Sequence, residues 1–425
     1  MISLSARARS RNQALFVLEY ICFSLGLTFL SPTVVLPALI RLLGGSSIAV
    51  GSLGAIQTGA WLLPQLVAGR YVAGRPWVKR YAVLPAAVSR LSPALLLPIL
   101  AFGARRAPGL VVLAVLGVLT CFCALDALSG VAWYDLFAKA VPLERRGRLL
   151  GTAQVLSGLL AVGAGTLIGA ILARPAPFPA NHQLLALLSS LCFGVSLLAL
   201  ISVTEPPGVA HSAARLGWPE YIPRLRLIWR SDRRFVWLTL TRWLAGLADM
   251  GGPFYVLYAA DRLRLPSDVI GLFVSAGVVG TLLCGALLGP LGDRRGSAAV
   301  IRVVMGLRCL TPALALLAPL LACIHPWVAG GGMALVFVAI GTVSTAFMIG
   351  FSNYVLEIAP AGERSLYVAL ANTLAGLLVL APLLAGVVLR LASYEALFAL
   401  ALGLAVLGFT IAVRGPEALR LGAQG

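Results

Sequence analysis

Charged residues are scarce in this 425-residue chain: they make up 11% of the sequence, and only 15 residues are Asp or Glu. Soluble domains carry roughly 25% charged residues, so this shortage excludes a soluble enzyme and a disordered tail protein. Histidine is rarer still, with three residues. The chain has no His-Glu-x-x-His motif, phosphate-binding glycine loop or Gly-x-Ser-x-Gly motif. We therefore expect neither an enzyme nor a bound cofactor.

Cysteine usage excludes two further kinds of protein. The chain has seven cysteines, and they lie in or beside apolar segments. An odd number does not fit a complete disulfide framework. The closely spaced Cys121 and Cys123 have no further Cys or His at metal-ligand spacing. We expect no disulfide scaffold and no metal site.

Long apolar runs are what the sequence has in abundance. Hydrophobic residues make up 60% of the chain, and its mean hydropathy is +0.96. A helix needs about 20 apolar residues to cross a membrane, and a window of about that length predicts twelve spans. They are predicted at 14–40, 47–69, 82–103, 108–137, 149–173, 183–203, 236–260, 269–291, 298–323, 327–356, 366–389 and 394–414. The expected fold class is all-α, a polytopic membrane protein with 12 transmembrane helices.

Basic residues predict the orientation of these spans. The 33 Lys and Arg residues give a net charge of +18, which in a soluble protein would suggest a nucleic-acid partner. Here they lie between apolar runs, and more than two thirds fall in segments that are cytoplasmic if both termini are. The positive-inside rule therefore predicts a protein of the cell (inner) membrane with cytoplasmic termini and no nucleic-acid partner. A long polar stretch, 204–235, separates a predicted six-helix bundle at 1–203 from a second at 236–425.

The two halves share a weak internal repeat. Four anchors recur in the same order at offsets of 219 to 221 positions. They are Pro32 with Pro253, Gly69 with Gly289, Ser92-Pro-Ala-Leu with Thr311-Pro-Ala-Leu, and Glu144-Arg145 with Glu363-Arg364. A duplicated six-helix unit in parallel orientation explains this pattern. Such repeats predict a binding site between the halves at mid-membrane.

The segment after the eighth span reads Gly289-Pro-Leu-Gly-Asp293-Arg294-Arg295-Gly296. Together with the two six-helix halves and the central loop, it resembles the major facilitator superfamily of transporters, whose loop signature is Gly-x-x-x-Asp-Arg-x-Gly. The resemblance implies cytoplasmic gate residues, whereas a solvated, positively charged loop explains most of the arginines equally well. The gate candidates are Gly289, Asp293, Arg294 and Gly296, together with Arg75, Glu144 and Arg145 in the corresponding loops of the first half.

The resemblance is incomplete. The counterpart segment after the second span keeps Gly69 and a basic Arg75 but has no Asp. Proton-driven drug exporters of the family carry an Arg four residues before a Gly in span 4. Here Asp126 stands four residues before Gly130. These departures lower the case for an ordinary drug/proton antiporter.

Six ionisable residues lie well inside the predicted spans, three acidic and three basic. They are Glu19, Arg90, Asp126, Arg242, Asp249 and Arg308. An unpaired charge at the bilayer centre costs at least about 3 kcal/mol, so each of them needs a partner, water or a function. In the family, spans 1, 4, 7 and 10 line the central cavity. By that resemblance Glu19, Asp126, Arg242 and Asp249 are candidates for binding substrate or a coupling proton.

Each candidate also allows a structural interpretation. Glu19 either binds a proton or reaches back to interfacial water or Arg11. Arg242 and Asp249 share one stripe of span 7, about 10 Å apart, and either meet substrate or pair with other helices. Gly246 between them allows a substrate or a neighbouring helix to approach closely.

Further residues inside the spans are expected to serve the structure. Arg90 and Arg308 occupy nearly equivalent positions in the two halves, so we expect both to pair with facing helices. Trp133 and Asn372 contact substrate in one interpretation and pack or hydrogen-bond between helices in the other. The pattern Gly251-Gly252-Pro253 is expected to weaken span 7.

Two functions remain open at this point. The first is secondary transport of a small-molecule substrate by alternating access, with protons as coupling ions and a monomer in the lipid bilayer. The alternative is a lipid or lysolipid flippase, or a non-transporting sensor or assembly protein on the same fold.

Overall fold

The computed structural model describes residues 5–72, 77–174, 178–206, 228–266, 268–359 and 364–415, and within them it is helical with no β-strand. Ten helical stretches among the described residues are long and apolar enough to cross a membrane. The protein is therefore a multi-pass membrane protein, as the hydropathy predicts. The predicted spans at 47–69 and 236–260 are not among those ten stretches of the described chain, so the number twelve stays a prediction.

Contacts divide the described residues into two compact units. The N-terminal unit comprises those within Met1–Ala214 and Ser267–Ser275, and the C-terminal unit those within Arg215–Pro266 and Ala276–Gly425. The short segment Ser267–Ser275 joins the N-terminal unit through Gly271, whose backbone lies so close to Gly165 that no side chain would fit there. The sequence-based division at residues 203 and 235 stays a prediction.

Eight helices precede the central loop in the described chain. They are α1 Ala6–Phe29, α2 Val35–Leu42, α3 Ser47–Val72, α4 Lys79–Leu91, α5 Leu96–Gly103, α6 Pro108–Ala140, α7 Leu143–Ala173 and α8 Ala180–Ser202. A 3-10 turn at Ser92–Leu95, which contains Pro93, links α4 to α5. Proline cannot donate a backbone hydrogen bond, which favours an interruption at this place.

The helices after the central loop are more often interrupted. They are α9 Arg233–Ala248, α10 Tyr255–Asp261, α11 Val269–Leu283, α12 Gly289–Arg295, α13 Ser297–Ile324, α14 Pro326–Phe347, α15 Asn353–Ile358, α16 Arg364–Ala375, α17 Ala381–Leu391 and α18 Tyr394–Arg414. Asp232 caps α9, since its Oδ1 accepts the backbone N–H groups of Arg234 and Phe235 at 2.9 and 3.2 Å.

Four irregular stretches join neighbouring helices of this half. They are the 3-10 stretches Asp249–Phe254 and Gly376–Leu380 and the π-helical stretches Cys284–Leu288 and Met348–Ser352. The first of them contains Gly251-Gly252-Pro253 and confirms that span 7 is weakened there. Irregular turns of this kind leave backbone groups for side chains to satisfy, which matters at the site described below.

The first predicted span, 14–40, is wrong as a single helix. Helix α1 ends at Phe29 and α2 begins at Val35. Pro32 lies in the break, and the carbonyl of Ser31 accepts the backbone N–H of Val35 at 3.0 Å, so the chain turns before it continues. Hydropathy does not detect the break because most of its residues are apolar.

Equivalent helices pack in the same way in the two units. Helix α1 packs on α7 and α8, and α9 packs correspondingly on α16 and α18. Helix α4 packs on α6 and α8, and α13 packs correspondingly on α14 and α18. The matched helices are those that the sequence repeat aligns, so the repeat is also a repeat of packing.

Candidate functional site

Glu19 and Arg90 form a buried ion pair in the N-terminal unit. The Arg90 Nη2 donates to the Glu19 Oε1 at 2.5 Å, and both side chains are about 4% exposed or less. Trp133 donates its ring N–H to the other carboxylate oxygen at 3.1 Å. The expectation that Arg90 pairs with a facing helix is confirmed. The Arg11 alternative for Glu19 is wrong, because the guanidinium of Arg11 donates to Thr204 instead.

Asp126 lies beside this pair on α6. Its side chain is buried, with 5% of the residue exposed. It interacts electrostatically with Arg90 and Glu19, but among the described residues no hydrogen bond reaches its carboxylate. Well inside its spans, the described part of the N-terminal unit therefore holds two carboxylates and one guanidinium, a surplus of one negative charge.

Asp249 and Arg308 form the corresponding pair in the C-terminal unit. Three hydrogen bonds join them: the Arg308 Nε reaches both carboxylate oxygens at 3.0 and 3.1 Å, and Nη2 reaches Oδ2 at 2.9 Å. The Arg308 side chain is 4% exposed and that of Asp249 is 46% exposed. The expected pairing of Arg308 with another helix is confirmed, and the carboxylate stays accessible from one side.

Arg242 on α9 contacts only neutral groups among the described residues. Its Nη1 donates to the carbonyl of Ala371 and its Nη2 to the Asn372 side chain, both at 3.2 Å. The guanidinium carbon also lies 4.8 Å from the centre of the Phe347 ring, in a cation–π contact. Arg242 and Asp249 do not pair with each other, in agreement with their predicted separation.

The neighbours of Arg242 on α9 hold this helix against α16. Trp243 donates its ring N–H to the carbonyl of Leu374 at 2.9 Å. A Cβ added at Gly246 would lie 2.5 Å from Leu378, so here it is a neighbouring helical segment that approaches the glycine. The acceptor carbonyl of Leu374 precedes the 3-10 stretch Gly376–Leu380, where regular α-helical hydrogen bonding ends.

The gate candidates are described only in part. The sequence predicts that the segment after the eighth span is a loop, and this is wrong: Gly289–Arg295 forms helix α12. Gly296, at φ +76°, follows the last residue of the helix and ends it. Arg294 is exposed, as is Arg145 in the first turn of α7. The side chains of Asp293 and Glu144, and the whole of Arg75, lie outside the described residues.

Glu205 is a residue that the sequence analysis missed. It follows α8 within the predicted loop 204–235, yet its carboxylate accepts the backbone N–H groups of Val78 and Lys79 at 2.6 and 2.9 Å. It thereby caps α4, the helix that carries Arg90. The sequence gives no signal for this contact because the partners are 126 and 127 positions apart.

The comparisons with known proteins agree with this architecture. No protein-family model and no curated protein matches the chain in sequence. Among solved structures, a bacterial homologue of the iron transporter ferroportin in an inward-facing state matches with a TM-score of 0.70 at 18% identity, over 95% of this chain and 98% of that chain.

Two other transporters match over a similar length. The nucleoside transporter NupG has a TM-score of 0.66 at 13% identity, over 98% of this chain and 99% of that one. A POT family transporter in complex with 5-aminolevulinic acid has a TM-score of 0.67 at 11% identity, over 96% and 97%. The chain thus has the fold of membrane transporters, which is the major facilitator fold that its sequence predicts.

Proposed function

We propose that the protein is a monomeric secondary transporter of the cell (inner) membrane, with both termini cytoplasmic, which moves a small solute by alternating access. The observation that carries the proposal is the set of charges inside the spans of each unit. Membrane proteins keep such costly charges mainly for substrate, ion or proton handling. The fold shared with solved transporters supports the same conclusion, and it favours transport over the flippase or sensor alternative.

Proton coupling through Asp126 is the second part of the proposal. Arg90 faces two carboxylates, Glu19 and Asp126, and can balance only one of them. A proton on one carboxylate removes the surplus negative charge of the cluster. Glu19 and Asp249 are the further candidates for proton or substrate binding. In this proposal the cytoplasmic segments with Glu144 and Asp293 act as gates.

The proposal is tested with purified protein in proteoliposomes. A defined mixture of small metabolites is offered with and without a pH gradient, and the accumulated solutes are measured by mass spectrometry. For any solute that accumulates, Asp126→Asn should abolish the response to the pH gradient. Asp135→Asn is the matched control on the same helix, because its carboxylate is exposed and pairs with Lys139 one turn away. This control should respond like the wild type.

Two outcomes would contradict the proposal. If no solute accumulates beyond the level in empty liposomes, the transport function is wrong. If accumulation ignores the pH gradient and survives both Asp126→Asn and Asp249→Asn, the transport function stands and the proton coupling is wrong.

A further inference from the structure

The C-terminal unit holds a surplus positive charge at a defined place. Asp249 and Arg308 neutralise each other through three hydrogen bonds. Among the described residues of this unit, Arg242 is the third charge that lies well inside the spans rather than near their ends, and none of the described residues offers it a carboxylate. The surplus of one positive charge therefore belongs to Arg242 rather than to the pair.

The guanidinium of Arg242 is held in place without being neutralised. Two neutral oxygens, from Ala371 and Asn372, accept one N–H each at 3.2 Å, and Phe347 packs against the cation. A guanidinium has five N–H donors in a planar fork that fits the two oxygens of a carboxylate or phosphate. The Nη1 of Arg308 is enclosed without a partner, whereas no nitrogen of Arg242 is enclosed in this way within the described chain. The two hydrogen bonds use two of its five donors, so three N–H groups are left without an acceptor among the described residues.

The depth of Arg242 along its span favours a soluble ligand over a lipid head group. The residue is nine positions after the start of α9 at Arg233, which corresponds to about 14 Å along the helix axis. The sequence predicts that span 7 enters the bilayer close to Arg233, so we expect this distance to reach the hydrocarbon region, beyond the layer of lipid phosphates. A solute that enters the protein can reach this position more readily than a head group can.

We infer that Arg242 binds the anionic group of the transported solute, so that the substrate is a small organic anion with a carboxylate or phosphate group. This inference rests on the proposed transport function. Asn372 accepts a hydrogen bond from the guanidinium and is the positioning residue that orients its fork. The anion supplies the counter-charge that the described residues of this unit lack.

A stability measurement tests the role of Arg242 without knowledge of the substrate. Thermal unfolding of the purified protein is compared for the wild type, Arg242→Gln and Arg308→Gln. Because Arg242 has no carboxylate partner among the described residues, Arg242→Gln should lower Tm less than Arg308→Gln does: it removes two hydrogen bonds to neutral oxygens and one cation–π contact but leaves no unpaired carboxylate. Arg308→Gln should lower Tm, because it leaves Asp249 without a cation. If Arg242→Gln lowers Tm as much as Arg308→Gln does, then the role of Arg242 is purely structural and the inference is overturned.

A binding measurement tests the ligand class. Acetate, succinate and inorganic phosphate are the anionic probes at constant ionic strength. Choline and glucose are the cationic and neutral probes, and a short-chain anionic lipid is the lipid probe. Anions should raise the wild-type Tm, and Arg242→Gln should lose this shift. Since phosphate also stabilises proteins without a specific site, the exposed Arg262→Gln is the control and should keep the shift. Succinate and phosphate compared with each other distinguish a carboxylate site from a phosphate site.

The failures of the inference and of the proposed function are distinguishable. Four outcomes would overturn the anion site. The Tm shifts could appear only with choline or glucose, persist in Arg242→Gln, or require a short-chain anionic lipid. The fourth outcome is that no probe shifts Tm. Proteoliposomes that still accumulate a solute in that case leave the transport function intact. An anion site without accumulation of any solute would overturn the transport function instead.

Discussion

The two units place an arginine at nearly the same repeat position but pair it differently. Arg90 and Arg308 are 218 positions apart, close to the repeat offset. Their acidic partners, Glu19 and Asp249, are 230 positions apart, so the second lies about ten residues farther along its helix, roughly 15 Å. Arg90 therefore reaches the middle of α1, whereas Arg308 reaches the residue that directly follows the end of α9.

The surroundings of the two pairs differ as much as their positions. Both side chains of the Glu19–Arg90 pair are buried, and one hydrogen bond joins them. The Asp249–Arg308 pair has three hydrogen bonds, but nearly half of the Asp249 side chain is exposed. The N-terminal pair thus depends on complete charge balance within the protein, whereas the carboxylate of the C-terminal pair is open on one side. The duplicated arginine has kept its place while the accessibility of its partner has diverged.

The largest expected effect is that of Arg90→Gln. It removes the cation that balances Glu19 and interacts with Asp126. Breaking a buried pair in this way costs about 3–5 kcal/mol of unfolding free energy, measurable by chemical denaturation in detergent micelles. The loss should be smaller at low pH, where the carboxylates carry protons. The double variant Glu19→Gln, Arg90→Gln should recover most of it. A loss no greater than that of Arg308→Gln would contradict the comparison.

The second prediction concerns unequal effects within the C-terminal pair. Asp249→Asn leaves a buried guanidinium with a neutral partner and should cost about 2–3 kcal/mol. Arg308→Gln leaves a carboxylate that water can reach and should cost only about 1 kcal/mol. The same denaturation measurement applies. Equal losses would show that Asp249 is as inaccessible as Glu19, and the two pairs would then be alike.

Parts of these arrangements are predictable from the sequence. The apolar runs, the duplication and the pairing of Arg90 and Arg308 with facing helices follow from hydropathy and from the cost of a charge in lipid. The identity of each partner does not follow, because three acids and three bases allow many pairings and only the packing of helices selects among them. Glu19, whose partner is Arg90 rather than Arg11, is the clearest case.

Local backbone geometry is the other part that the sequence pattern does not determine. Hydropathy averages over a window, so it misses the break around Pro32. It predicts a connection at 292–297 between two spans, where α12 and α13 leave only Gly296. The need for a small residue at Gly246 is visible in the sequence. The identity of its neighbour, Leu378, is not, because it comes from a distant segment.

The third prediction compares two glycines at an offset of 220 positions, Gly26 on α1 and Gly246 on α9. An added Cβ would lie 2.7 Å from the buried ring of Phe193 at the first and 2.5 Å from the end of the Leu378 side chain at the second. A flexible leucine can move more easily than an enclosed ring. Gly26→Ala should therefore cost about 1–2 kcal/mol and Gly246→Ala less, by the same measurement. The reverse order would show that the C-terminal unit is the more tightly packed one.

The smallest expected effect provides the reference for a pair that water fully reaches. Arg262 and Glu395 of the C-terminal unit form an ion pair at 3.0 Å, with side chains 65% and 41% exposed. Exposed pairs contribute under about 1 kcal/mol and are screened by salt. Arg262→Gln should therefore change stability by a few tenths of a kcal/mol at low ionic strength and by less in high salt. Denaturation at two salt concentrations checks this.

Because Asp249 is partly accessible, Arg308→Gln should show a salt dependence between those of Arg262→Gln and Arg90→Gln. A salt dependence as small as that of Arg90→Gln would place Asp249 out of reach of solvent and of any solute.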